Sequence, residues 1–259
     1  MDLGLNGKTA LVTGASSGLG LAAATALAAE GAAVTINSRD RARLEKAAAR
    51  IAEETGREVS IAVGDIASSD DVAAMAAAAG PVDILVSNCG GPPPGPFVAH
   101  SPETWRDGGE LVLQSAINLT REVLEGMKER GWGRLIYITS IAVLQPVDDL
   151  IISNTYRAGL TGFCKTISNT YAQYGITANT VCPGYTATER LMDLAAKRAE
   201  AAGTTPEEAM AAFAAAAPAG RVGRPEELAA LIAFLASERA AYITGTSIPV
   251  DGGVYKGLV

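Results

Sequence analysis

Apolar and β-branched residues gather in short runs at Thr9 to Thr13, Ala33 to Asn37, Val59 to Val63, Val82 to Ser87, Arg134 to Thr139, Thr177 to Cys182 and Ser247 to Val250. Longer helical patterns separate them, and strands alternating with helices predict βαβ units and a parallel sheet. Within each run the apolar residues are nearly continuous instead of alternating with polar ones, so helices are expected on both faces of the sheet. The pattern therefore predicts a doubly wound α/β architecture of about seven strands.

No internal repeat or linker interrupts this rhythm, and residues 1–259 read as one domain. The Gly/Pro-rich stretch Gly90 to Pro96 reads as a loop leaving a strand. One long insertion stands out. Tyr185 to Val222 carries Ala-rich helical stretches around a break at Gly203 to Pro206, and it is expected to form a helical lid over the crevice at the strand ends.

Composition narrows the partners. The chain has 28 Asp plus Glu against 21 Lys plus Arg, a formal net charge of -7, which disfavours a broad footprint on nucleic acid or an anionic membrane and favours a small-molecule substrate. Cys89, Cys164 and Cys182 lie far apart without CxxC spacing, and His100 is the only histidine, so no His/Cys metal cage is expected. Free thiols, and an N-terminus without a basic segment followed by a long apolar run, point to a cytoplasmic protein.

The first strand runs directly into Thr13-Gly14-Ala15-Ser16-Ser17-Gly18-Leu19-Gly20, and a helical pattern follows at once. Glycines there permit a tight turn and close backbone approach, while a helix N-terminus offers unpaired N–H groups to a diphosphate. The second strand ends Ile36-Asn37-Ser38-Arg39, with no carboxylate where a ribose 2′-hydroxyl would need an acceptor. Arg39 can fork onto a 2′-phosphate and Ser38 can add a hydroxyl donor, so the expected cofactor is NADPH.

This GxxxGxG spacing resembles the fingerprint of the short-chain dehydrogenase/reductase family. The resemblance continues through Asp65, Asn88-Cys89-Gly90, Ser140, Pro183-Gly184 with Thr188, Tyr242-Ile243-Thr244-Gly245 and Asp251-Gly252-Gly253, covering nearly the whole chain. It implies a Rossmann-type fold. It further implies that Asp65 and Ile66 flank the adenine, that Asn88 and Gly90 support the cofactor, and that Thr188 meets its carboxamide or diphosphate. It also suggests a homotetramer built through long helices at Glu110 to Arg130 and Ser153 to Tyr174.

Most members of that family carry a Tyr-x-x-x-Lys pair thirteen residues beyond the serine; here the same register places Ser153 and Arg157. Their helical Asn falls near Val112, with Asn118 six residues farther on. In lacking the Tyr/Lys pair the chain resembles an atypical branch, the reductase of the bacilysin pathway, which reduces a conjugated olefin. A serine hydroxyl is a poor acid near neutrality and arginine stays charged, so neither Ser153 nor Arg157 suits general-acid work. Arg157 can bind ribose hydroxyls or stabilise developing negative charge.

Ser140 is expected to hydrogen-bond a substrate oxygen. Tyr156 is the candidate replacement acid, a phenol close to the usual position. His100, Asp148 and Asp149 are weaker candidates, for proton transfer and for a cationic or hydroxylated substrate respectively. The chemistry expected is hydride transfer to an α,β-unsaturated carbonyl or an activated ketone, whose charge the substrate itself stabilises. The competing expectation is a dinucleotide-binding sensor or partner subunit without turnover.

Overall fold

The computed structural model describes residues 1–258. Strands β1 (Thr9–Val12), β2 (Ala33–Ser38), β3 (Ser60–Val63), β4 (Ile84–Ser87), β5 (Gly133–Ile138), β6 (Ile176–Pro183) and β7 (Ser247–Val250) follow the runs read from the sequence, with ends shifted by a residue or two. They form one sheet of order β3-β2-β1-β4-β5-β6-β7, every neighbouring pair parallel. The chain winds outward from β1 to β3 and then returns to place β4 on the other side of β1. That reversal opens a crevice at the carboxyl ends of β1 and β4, where doubly wound sheets bind ligands.

Alternate residues of each strand point to opposite faces, and both faces are covered. Ile84 and Val86 of β4 join a cluster with Leu27, Leu44 and Ile232, contributed by α1 (Gly18–Ala29), α2 (Arg41–Thr55) and α9 (Pro225–Ala236). Leu85, between them, joins the opposite cluster with Met75, Leu119 and Leu160 from α3 (Ser69–Ala79), α5 (Ser115–Arg130) and α6 (Ile151–Tyr171). Burial on both sides is why the runs are continuously apolar. Each fully buried leucine or isoleucine contributes about 1.5–3 kcal/mol relative to exposure.

Helix α4 (Pro102–Gly109) passes through a π-helical turn, Glu110–Gln114, directly into α5. The expected helix from Glu110 is therefore the second part of a longer one. The insertion after β6 forms α7 (Glu189–Ala202) and α8 (Pro206–Ala216), joined where Thr205 and Glu208 make a reciprocal capping box. Leu191 and Ala195 of α7 pack on Phe213 of α8 and on Tyr185. No helix among the described residues is long and apolar enough to cross a membrane.

Candidate active site and cofactor cleft

The turn after β1 is tied to the end of β4. Thr13 Oγ1 donates to the Asn88 carbonyl at 2.7 Å and accepts from the Asn88 N–H at 2.9 Å, and the Asn88 side-chain amide donates to the Gly14 carbonyl at 3.1 Å. Gly14 takes a φ of +56°, and a Cβ on Gly20 would lie 2.3 Å from the Gly14 carbonyl oxygen. Only glycine lets α1 begin this close to the turn. Gly20 thus sits behind the cleft and shapes it, whereas Gly14, Ser16, Ser17, Gly18 and Leu19 line it.

Ser17 is the N-cap of α1 yet makes no side-chain cap, so the first N–H groups of the helix are not consumed by it. A diphosphate fits there in charge and geometry. The cleft, about 730 Å³, continues past Asn88 and Gly90 to Asp65 and Ile66. Ser38 and Arg39 stand at its far end and Thr188 on its other wall. Arg39 is largely exposed, 3.7 Å from Asp65, and Asp40 is occupied in capping α2 by accepting from the Arg43 N–H at 3.1 Å. The carboxylate nearest the end of β2 is therefore turned to its own helix. These features fit a dinucleotide with a phosphorylated ribose.

Sequence reasoning missed Arg43, which lines the same end of the cleft and pairs with Glu189 of α7. The hydrogen bond and charge of Glu189 raise the Arg43 pKa above the ordinary arginine value. Its position one helical turn past Arg39 was the available signal.

Beside the cleft, at the ends of β4, β5 and β6, lies a cavity of about 180 Å³ lined by Ser140, Ser153 and Arg157, together with Pro183, Gly184 and Thr188. Ser140 Oγ accepts from the Ala142 N–H at 3.1 Å, which leaves its own proton to donate elsewhere. Arg157 is buried. Its Nη1 donates to the carbonyls of Ile138 at 2.9 Å and Thr139 at 3.1 Å, and its Nε to Ser153 Oγ at 3.2 Å. Its Nη2 is held only loosely, 3.5 Å from the Gly90 carbonyl and 3.9 Å from Cys89 Sγ. One arginine thereby ties α6 to β5 and to the loop after β4, the contacts to that loop being the long ones.

Four of the candidates stand away from the cavity lining. Tyr156 does not line the cavity: its ring faces α4, 6.0 Å from Trp105 by centroid, and a Cβ on Gly109 would touch it. One residue along a helix is about 100° of rotation, so a neighbour of a cavity-facing Arg157 points elsewhere. His100 Nε2 is engaged with the Gly95 carbonyl at 3.1 Å, within its own loop. Asp148 and Asp149 also stand outside the cavity; the Asp149 carbonyl accepts from the Gly95 N–H at 2.7 Å, binding two loops together. Val112 is buried inside the π-turn.

Cys89 and Tyr185 line the cavity and were not singled out as site residues, nor were Arg190 and Arg198 of α7. For Cys89 and Tyr185 the adjoining landmarks Asn88 and Gly184 were the signal; for the arginines only the four- and eight-residue spacing with Leu194 hinted at a common face. Burial and the nearby Arg157 charge lower the Arg190 pKa.

Residues 14–255 match the family model described as enoyl-(acyl carrier protein) reductase. The chain is 36% identical over 257 residues to the 3-oxoacyl-[acyl-carrier-protein] reductase of Escherichia coli K12, covering 98% of this chain and 99% of the relative. It is also 36% identical over 254 residues to a D-beta-hydroxybutyrate dehydrogenase of Cupriavidus necator, covering 96% and 98%. Among solved structures, L-sorbose reductase of Gluconobacter frateurii, complexed with NADPH and L-sorbose, aligns over all of both chains with a TM-score of 0.94 and 35% identity. YwfH, an NADPH-dependent reductase involved in bacilysin biosynthesis, aligns over 97% of this chain and 99% of that one, with a TM-score of 0.91 and 31% identity.

Proposed function

The chain belongs to the short-chain dehydrogenase/reductase family, and from that premise we propose that it is an NADPH-dependent reductase of an atypical branch, acting on a conjugated enone or an activated ketone. The observation that carries this reading is the cavity wall, where Ser140, Ser153 and a buried Arg157 meet beside the dinucleotide cleft and, among the described residues, no carboxylate, histidine or lysine lines the space. NADPH, when bound, supplies the hydride. The turn Gly14 to Gly20 would hold its diphosphate, Ser38 and Arg39 its 2′-phosphate, with Arg43 as a second guanidinium at that end. Asp65 and Ile66 would flank the adenine, and Thr188 the carboxamide.

The residues of the cavity then do electrostatic work. Ser140 donates a hydrogen bond to the substrate oxygen, and the loosely held Nη2 of Arg157 faces the charge that develops there. Adding hydride to the β-carbon of an enone moves an electron pair onto oxygen. The enolate takes its proton afterwards, from water or a neighbouring group, so no strong acid is needed at the moment of hydride transfer. An ordinary ketone gains no such delocalisation and is a poorer substrate here. Helices α7 and α8 act as the lid that excludes water. The exposed faces of α5 and α6 suit a homotetramer, and the free thiols Cys89, Cys164 and Cys182 suit the reducing cytoplasm.

A panel of small enones, vicinal diketones and simple ketones, followed by NADPH oxidation at 340 nm and product analysis, tests the reading. Faster turnover of enones or diketones than of simple ketones is expected. Binding of NADPH without oxidation by any member would favour the competing reading, a sensor or partner subunit.

A further inference from the structure

An acidic chain has here built a basic cavity. The protein carries 28 acidic against 21 basic residues, yet its reaction cavity is lined by Arg157, Arg190 and Arg198 and, among the described residues, by no carboxylate. Arg190 and Arg198 are eight residues apart on α7 with Leu194 between them, which places them on one helix face. Arg190 donates from Nη1 to the Gly91 carbonyl at 3.3 Å and from Nη2 to the Pro92 carbonyl at 3.2 Å. A Cβ on Gly91 would lie 2.1 Å from Arg190 Nη2, so glycine there lets the guanidinium rest across the loop. Arg198 is held by the face of Phe213, 4.8 Å from the ring centroid.

Among the described residues none of these three arginines has a carboxylate within salt-bridge distance. Arg190 lines the cofactor cleft as well as the cavity, and Asp193, the acid that acts on it, lines the cleft alone. Like charges gathered against apolar walls such as Ile141, Leu191 and Leu194 repel one another, and a bound anion relieves that repulsion.

We infer that the substrate carries a carboxylate, gripped by Arg190 and Arg198 from the lid while Arg157 faces the reacting oxygen; this rests on the reductase reading above. Guanidinium forks match the planar carboxylate bidentately. A cavity of about 180 Å³ limits the acid to a small one. The lid thus recognises the charged end of the substrate and the sheet edge its electrophilic end.

The test uses a cyclohexenone carboxylate and its methyl ester. Calorimetric binding to the NADP⁺-saturated protein, where no reduction occurs, reads the inference without turnover; NADPH oxidation by the same pair reads the reductase function separately. The acid is expected to bind at least tenfold more tightly than the ester. Arg198→Gln, at a solvent-facing position on the cavity wall outside the cofactor cleft, should abolish most of that preference while changing NADPH affinity less than twofold; Arg190→Gln should abolish it too, with some loss of NADPH affinity because Arg190 also lines the cleft. Equal binding of acid and ester overturns the inference and leaves the reductase reading standing. It is also overturned if Arg198→Gln weakens NADPH as much as the acid, since that arginine would then serve the cofactor. Preferential binding of the acid without NADPH oxidation supports the anion site and sinks the reductase reading instead.

Discussion

Strand β5 has a buried arginine at each end, and the two are built differently. Arg134, at its start, is 2% exposed and donates to the carbonyls of Gly133 at 2.9 Å, Gly175 at 3.1 Å and Ser237 at 3.3 Å. It also lies 3.7 Å from the Glu238 carboxylate and stacks over Trp132 at 4.2 Å. Burial lowers its pKa while Glu238 opposes the shift. Arg157, beyond the other end, has carbonyl, hydroxyl and thiol partners but no carboxylate, and its Nη2 has only long contacts. A buried guanidinium with a carboxylate beside it is charge-compensated within the fold. One that is buried with neutral partners alone carries an uncompensated charge, and such perturbed groups cluster at functional sites.

The largest effect that would test this contrast is on turnover. Arg157→Ala should lower kcat/KM for an enone by about 10²–10³, or roughly 2.7–4 kcal/mol of transition-state stabilisation. Steady-state kinetics showing less than a threefold change would erase the functional half of the contrast. Next comes stability. Arg134→Met removes a donor from the carbonyls of Gly133, Gly175 and Ser237, of which Gly175 keeps the Gly133 N–H, and each buried acceptor left unsatisfied costs about 1–3 kcal/mol. Urea melts should therefore show a loss of roughly 3 kcal/mol, with kcat/KM unchanged in the folded protein. A kinetic defect without a stability defect would reverse the assignment of the two residues. The smallest effect sharpens how local the site is. Tyr156→Phe removes a hydroxyl on the α4 side of α6, so kcat/KM and its pH profile should stay within twofold of the parent, and stability within about 0.5 kcal/mol. A tenfold slower, pH-shifted reaction would return Tyr156 to the site as its acid.

Much of the cofactor cleft was legible because its parts are local. The turn from Gly14 to Gly20, the end of β2 at Ser38 and Arg39, and Asn88 after β4 each follow a strand directly, and a parallel sheet brings all its strand ends to one edge. Register along the chain likewise placed Ser153 and Arg157 beside the Ser140 cavity. The reaction cavity was less legible. Tyr156 was a chemically reasonable acid, but its direction depends on the rotation of α6, which Trp105 and Gly109 share in setting. Arg190 and Arg198 come from an insertion whose placement depends on α7 packing against α8 and Tyr185. Arg43 was passed over because its reach to Glu189 joins two helices distant in sequence.

By itself, the order of residues determined the alternation of strands and helices, the burial of the sheet on both faces and the glycine turn that opens the dinucleotide cleft. These depend on side-chain period, backbone freedom and nearest-neighbour chemistry, all of which are properties of short segments. Only the tertiary structure decided which charges face each other across the cavity and which arginine finds a carboxylate. Coulombic and hydrogen-bonding energies turn on distance and burial, and those quantities exist only after α6 and α7 have docked against the sheet edge.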